Sequence, residues 1–340
     1  MRILTILCLL FLCGWSLSAC DNPEEQTITG MTMGTTYRIK VVAGRSADLA
    51  HLKTAVDQRL EAINRSMSTY RPDSEISRFN AQSDINAPFA VSADFLSVML
   101  AAREVYRLTG GALDGTIQPL VNLWGFGQDD PPQQVPSETA VEAARQRVGF
   151  DRIDISASGY LTKLRPDVTV DLSSIAKGYG VDQVAALLAA KGFSHFLVEI
   201  GGEIYAAGQR PDGRPWRVGI NLPQPQAAAD AVYSVVRLED RALATSGDYR
   251  QYYEIDGRFF SHIIDPRSGY PVQNRVVSAT VVADTCTLAD ALATAVVVLG
   301  VEQGLKLLNR LAGVEGLIVQ KGPDGELINH RSQGFGALID

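Results

Sequence analysis

HFLVEIGGEIYAAGQRPDGRPWRVGINL, residues 195–222, opens the region that decides the fold. From 195 to 283 the chain is mostly strand-like, broken by Gly, Pro and the turn dipeptide Asp256-Gly257. Helices flank this region. One is expected from about Ser174 to Lys191, closed by Gly192. Two more, about 286–299 and 301–311, precede a terminal hairpin turning at Asp324-Gly325. Toward the N-terminus, TTYRIKVV (35–42) reads as a strand. Leu49, Leu52, Val56, Leu60 and Ile63 recur at helical spacing within 47–66. Ser92 and Gly110 bracket a helix over 93–109, and Ser137 and Gly149 bracket another. Short strands follow at Ile153–Ile155, Tyr160–Leu164 and Val168–Asp171. Helices and strands cluster rather than alternate, so the expected class is α+β and not a doubly wound sheet. Residues 128–136 read as a surface loop and 222–231 as a flexible insertion. No fixed-period repeat and no domain linker is apparent.

The N-terminus carries a different message. Arg2 precedes an apolar run, ILTILCLLFLC (3–13), too short to span a bilayer comfortably. Leu17-Ser18-Ala19-Cys20 resembles the bacterial lipobox, which implies cleavage before Cys20 and acylation of its thiol. Asp21 after that cysteine implies retention at the inner membrane, facing the periplasm. The expected division is a signal peptide over 1–19, a lipid-anchored tether over 20–28 and one domain over 29–340. Processing removes Cys8 and Cys13 and leaves Cys286 as the free thiol, so no internal disulfide framework is expected. About 320 residues remain, enough for a large core. Loss of Arg2 leaves 30 basic against 38 acidic residues, a net charge of −8. That balance, with no long basic run, argues against nucleic-acid binding. It also demands that any polyphosphate be held by a metal or by backbone amides.

Several site types are absent. There is no Walker A motif and no GxGxxG opening a helix. His51, His195, His262 and His330 have no zinc-type spacing. Gly201-Gly202-Glu203-Ile204 is similar to the GGEF loop of diguanylate cyclases, but the match is four residues long in an exported chain. Ser246 lacks a G-x-S-x-G elbow.

Six polar clusters remain. They are Gly30–Tyr37, Met67–Asn80, Gly110–Thr116, Asp171–Tyr179, Ser261–Gly269 and Ala289–Thr294. In this order they resemble the ApbE family of FAD:protein FMN transferases across nearly the whole processed chain. The resemblance implies a single large domain of mixed sheets and packed helices, related to the T-fold.

Residue chemistry can be weighed beside it. Asp290 and Thr294 lie four apart on one helix face. They either pair and pack locally or offer oxygen ligands to a hard cation. Their apolar surroundings make a buried carboxylate in need of a partner. The resemblance adds the backbone carbonyl of Ser174 as a third ligand and implies Mg²⁺. It further implies FAD contacts at Met33, Tyr70, Ala112, Leu113, Asp114, Asp171, Lys177 and Ile264. Each has an ordinary structural alternative: Met33 and Tyr70 as core, Asp171 as a helix cap, Gly110-Gly111 as a helix stop. His262 is either a packed strand histidine or, as the resemblance implies, the proton acceptor, a role open also to a nearby carboxylate; Asp290 stands with it in the catalytic set. Asp265, Arg267 and Gly269 are expected to fix a turn.

The implied reaction splits FAD and joins its FMN half to a Ser or Thr hydroxyl of an acceptor, releasing AMP. The implied acceptors are flavoprotein subunits of membrane redox complexes. Two alternatives are an Mg²⁺-dependent FAD pyrophosphatase and a non-enzymatic FAD-binding lipoprotein.

Overall fold

The computed structural model describes residues 23–340, apart from 128–131, 225, 229–230, 248–251 and 256. The lipobox and Cys20 lie outside the described residues. An antiparallel sheet of eight strands organises the molecule, in the order β1-β2-β6-β7-β10-β13-β14-β15. The strands are β1 (Glu24–Thr32), β2 (Thr35–Ala43), β6 (Phe196–Ile200), β7 (Glu203–Ala207), β10 (Arg241–Gly247), β13 (Val276–Ala283), β14 (Glu315–Lys321) and β15 (Leu327–Arg331). Smaller sheets are β3 (Phe89–Ala90) with β5 (Tyr160–Lys163) and β4 (Ile153–Ser156), the hairpin β8 (Trp216–Asn221)–β9 (Val232–Leu238), and the hairpin β11 (Tyr252–Ile255)–β12 (Arg258–Ser261). The helices are α1 (Leu49–Met67), α2 (Glu75–Ala81), α3 (Ala93–Leu108), α4 (Gln118–Leu123), α5 (Glu138–Arg145), α6 (Ala176–Ala190) and α7 (Cys286–Arg310). The class is α+β.

The sheet is covered on both faces, and strand alternation assigns the side chains. Val198, Ala244, Val281 and Ile318 face α6, α7 and the main core. Leu197, Leu243, Val282, Leu317 and Val319 face the β8–β9 hairpin with Trp216 and Phe335. A strand buried on both faces reads as a near-continuous apolar run, as VVSATVVA of β13 does. A third cluster, Leu120, Trp124, Val141, Phe260 and Ile264, joins α4 and α5 to the β11–β12 hairpin. Trp124 Nε1 donates to the Gly269 carbonyl at 2.8 Å and locks this lobe to the turn after β12.

The helix signals behave as their chemistry dictates. Ser92 and Ser137 cap α3 and α5 through the amides of Phe95 and Ala140. Gly110 and Gly111, at φ +60° and +81°, stop α3. Gly300, at φ +77°, breaks α7 where two helices are expected. Asn274 Nδ2 satisfies the Val297 carbonyl left open there, at 2.7 Å.

Three expectations are corrected. Residues 24–28, read as tether, are the first part of β1, paired with β2 from Glu24↔Ala43 onward. Their polarity matches their exposure: Glu24, Glu25 and Thr27 face solvent and only Ile28 is buried. Val168–Asp171 is not a strand. Asn80 clamps it instead, donating to the Val170 carbonyl and accepting its amide at 2.8 and 2.7 Å, while Asp171 N donates to Gly115. Finally, α6 begins at Ala176 rather than near Ser174. Its N-cap, Ile175, has no side-chain cap, and Asp171 Oδ1 accepts the Ser173 amide at 2.8 Å.

Candidate active site

Helices α6 and α7 cross closely beside the sheet, and a cavity of about 430 Å³ opens at that crossing. Glycine permits the approach. A Cβ on Gly178 would meet the Cys286 carbonyl carbon at 2.7 Å and Asp290 Cβ at 2.8 Å. Asp182 of α6 strengthens the junction, accepting the amides of Cys286 and Thr287 at the start of α7, each at 2.8 Å.

This crossing creates an oxygen-rich site. Gly178 N would donate to the Ser174 carbonyl in a regular helix. It donates instead to Asp290 Oδ2 at 2.9 Å, which deprives the Ser174 carbonyl of that partner. Asp290 Oδ1 stands 3.7 Å from Lys177 Nζ, while Lys177 makes its closer contact, 3.0 Å, with Glu203 Oε1. One helical turn along α7, Thr294 Oγ1 lies 2.9 Å from Ser246 Oγ of β10. Ser174, Lys177, Glu203, Ser246, Asp290 and Thr294 all line the cavity.

The electrostatics favour a cation. Asp290 and Glu203 are buried, at 2% and 4% exposure. Burial raises the Asp290 pKa against the pull of Lys177 and the Gly178 amide. Burial likewise raises Glu203; Lys177 opposes this and Asp290 adds to it. Burial alone would lower Lys177, but the carboxylates of Asp290 and Glu203 outweigh it and hold the ammonium above the ordinary lysine range. Two carboxylates thus share one ammonium, and Glu203 Oε2 has no hydrogen-bond partner among the described residues. Among the described residues no three His, Cys, Asp or Glu side chains form a metal cluster. The donors at hand are a carboxylate, a hydroxyl and a carbonyl. That set fits Mg²⁺ or another hard cation and suits zinc poorly.

The opposite wall comes from the lobe built on Trp124. His262, Ile264 and Pro266 line the cavity there. The ring of Phe126 stands edge-on to His262 at 6.3 Å. Asp265 accepts the Arg267 amide and pairs with its guanidinium at 2.9 Å, so this segment is the expected turn. Ala112, Leu113 and Asp114 line the floor. Asp114 is spent on structure. Its Oδ1 accepts Thr116 N and Oγ1 at 2.8 and 2.6 Å, and burial raises its pKa against those bonds. Asp171 also lines the cavity, through the segment before α6.

Ten of the expected site residues therefore converge: Ala112, Leu113, Asp114, Asp171, Ser174, Lys177, His262, Ile264, Asp290 and Thr294. Met33 and Tyr70 do not line this cavity. Met33 occupies the β1–β2 turn at φ +49°, its thioether over Gly180, one turn of α6 beyond Lys177. Tyr70 is 73% exposed between α1 and α2. Sequence reasoning passed over Glu203. The GGE segment is the β6–β7 turn, with Gly201 and Gly202 at φ +62° and +104°, and it delivers Glu203 to the cavity. Thr245 and Ser246 were also missed as wall residues. A charged residue directly after a glycine pair was the available signal for Glu203.

Comparisons with known proteins bear on the family and the fold. The ApbE family model matches residues 33–318. The FAD:protein FMN transferase of Vibrio cholerae is 47% identical over 291 residues, covering 85% of this chain and 86% of that protein. Its namesake in Escherichia coli K12 is 38% identical, covering 87% and 83%. Among solved structures, the flavin transferase ApbE from Vibrio cholerae superposes with a TM-score of 0.84 at 44% identity, over 93% of this chain and 99% of that one. The apo flavinyl transferase ApbE of Pseudomonas stutzeri gives 0.82 at 36% identity, over 93% and 97%. Family model, relatives and fold agree over most of the chain, and the chain belongs to the ApbE family.

Proposed function

We propose that this chain is an FAD:protein FMN transferase. It cleaves FAD and joins FMN, through a phosphoester, to a Ser or Thr hydroxyl of an acceptor flavoprotein. The observation that carries the reading is the convergence of Ser174, Asp290 and Thr294 in one cavity with His262. These three would hold Mg²⁺. When bound, it neutralises charge on the pyrophosphate being cleaved. Lys177 adds a fixed positive charge beside the same pyrophosphate. His262 takes the proton of the acceptor hydroxyl as its oxygen bonds the FMN-side phosphorus; the bond to AMP breaks and AMP leaves. Ile264 and the Ala112–Asp114 floor give the substrate a shaped wall.

The setting belongs to the same proposal. The Leu17–Cys20 lipobox supports a lipid anchor at Cys20 and a position on the periplasmic face of the inner membrane. Flavoprotein subunits of membrane redox complexes are the acceptors that such an anchor suits.

Mass spectrometry of a candidate acceptor, after incubation with this protein, FAD and Mg²⁺, tests the reading. The expected result is a mass gain of one FMN moiety with AMP released, abolished by EDTA and by His262→Ala. AMP and free FMN without an adduct, across several acceptors, would establish the pyrophosphatase instead. Intact FAD under every condition would leave only a binding protein.

A further inference from the structure

Glu203 is the cavity's unexplained residue. It is 4% exposed and enters from the β6–β7 turn rather than from either helix that carries the expected ligands. One oxygen contacts Lys177 at 3.0 Å, and the other has no hydrogen-bond partner among the described residues. A buried carboxylate with one oxygen unsatisfied is expensive to keep for stability alone, so it points to work done on a neighbour.

The neighbour is Lys177. Its ammonium has two carboxylates within reach and sits closer to Glu203 than to Asp290, 3.0 against 3.7 Å. Asp290 Oδ2 is already engaged by the Gly178 amide. Oδ1 is therefore the oxygen that Asp290 can give to a cation, and it is also the one Lys177 would cover if nothing held the ammonium back.

We propose that Glu203 is a positioning residue that draws the Lys177 ammonium off Asp290 Oδ1 and so keeps that oxygen open to a divalent cation. The inference rests on the metal reading proposed above. It makes Lys177 an internal competitor for the cation's ligand, with Glu203 as the restraint. The glycine pair at 201–202 serves the same end, because its left-handed turn is what aims Glu203 at Lys177.

A double-mutant cycle decides it, with Mn²⁺ as the probe, followed by its EPR signal in the full-length protein without FAD. Glu203→Gln keeps the shape but loses the charge, and Mn²⁺ should bind about tenfold or more weakly. Lys177→Met removes the competitor, and in that background Glu203→Gln should cost less than about threefold. The same factor in both backgrounds would mean that Glu203 acts only as a distant negative charge, which overturns the proposal. Unchanged Mn²⁺ affinity in Glu203→Gln overturns it equally. If the unmodified protein binds no Mn²⁺, the metal reading itself falls, and this inference with it. Should Glu203→Gln fail to fold, as judged by circular dichroism, Lys177→Met carries the test alone. It should bind Mn²⁺ at least as tightly as the unmodified protein, and weaker binding refutes the competition.

Discussion

Replacing Gly178 with alanine adds one carbon at the point where α6 and α7 are closest. The new Cβ would stand 2.7 Å from the Cys286 carbonyl carbon and 2.8 Å from Asp290 Cβ. Carbon atoms are comfortable at 3.5–4.0 Å, so the helices must part by about 1 Å. The first atom met is backbone at the start of α7, which Asp182 and Thr285 both pin. A rotamer change cannot relieve it. Alanine recovers about 1 kcal/mol of helix propensity, while overpacking costs about 1–3 kcal/mol and more against backbone. Losing the Gly178–Asp290 hydrogen bond adds about 1.5–3 kcal/mol, since the acceptor is charged. The expected net loss is about 1.5–5 kcal/mol in urea unfolding. The functional loss should be larger. A 1 Å separation moves the Ser174 carbonyl away from Asp290 and Thr294, and metal sites tolerate only about 0.2 Å. Mn²⁺ binding and FMN transfer should both become undetectable in protein that still unfolds cooperatively. Unmodified stability together with unmodified Mn²⁺ affinity would refute the claim that this crossing builds the site.

Three further outcomes are expected. Asp290→Asn keeps an acceptor for the Gly178 amide, so stability in EDTA should stay within about 1 kcal/mol of the unmodified protein. Mn²⁺ affinity should nevertheless fall about 100-fold or more, and the rise in Tm on adding Mn²⁺ should vanish. Asp182→Ala uncaps α7 and should cost about 1–3 kcal/mol in urea unfolding, with no change in m-value. Lys163 is wholly buried, its Nζ 2.9 Å from the carbonyls of Asn80 and Gln82, and burial pushes its pKa down to about 8. The unfolded chain then binds more protons at this lysine than the folded one between about pH 8 and 10.5. Stability relative to Lys163→Met should rise across that window by on the order of 3 kcal/mol and be flat below it. A difference that falls as pH rises would contradict the burial.

Much of the fold was legible because its signals are local. Leu52, Val56, Leu60 and Ile63 mark one face of α1 whatever the chain does elsewhere, and all four are buried. Ser92, Ser137 and Gly300 act on their own helix ends or break, within a few residues, and the structure honours each. The terminal hairpin formed about Asp324-Gly325 for the same reason. The Asp290–Thr294 pair was visible as one helical turn.

Other features depended on partners far along the chain. The polar start of β1 carries little strand signal by itself and becomes a strand by pairing with β2. Val168–Asp171 has strand composition, yet it belongs to the clamp from Asn80, 90 residues away from Val170. No local pattern could say that the Gly178 amide, one of the unpaired donors in the first turn of α6, would bond Asp290, 112 residues on. Nor could it turn Gly201-Gly202-Glu203 from an apparent nucleotide loop into the turn that charges the cavity. The sequence by itself determined the class, the helices α1, α3, α5, α6 and α7 with the Ser92 and Ser137 caps, and the order of the six clusters, because propensity, periodicity and capping act over a few residues; the short helices α2 and α4 were not foreseen. Only the tertiary structure decided strand order, the opening of the Ser174 carbonyl and the meeting of Lys177 with Glu203 and Asp290. Those depend on how closely two helices can pack, which is set by steric contact between segments that do not touch in sequence.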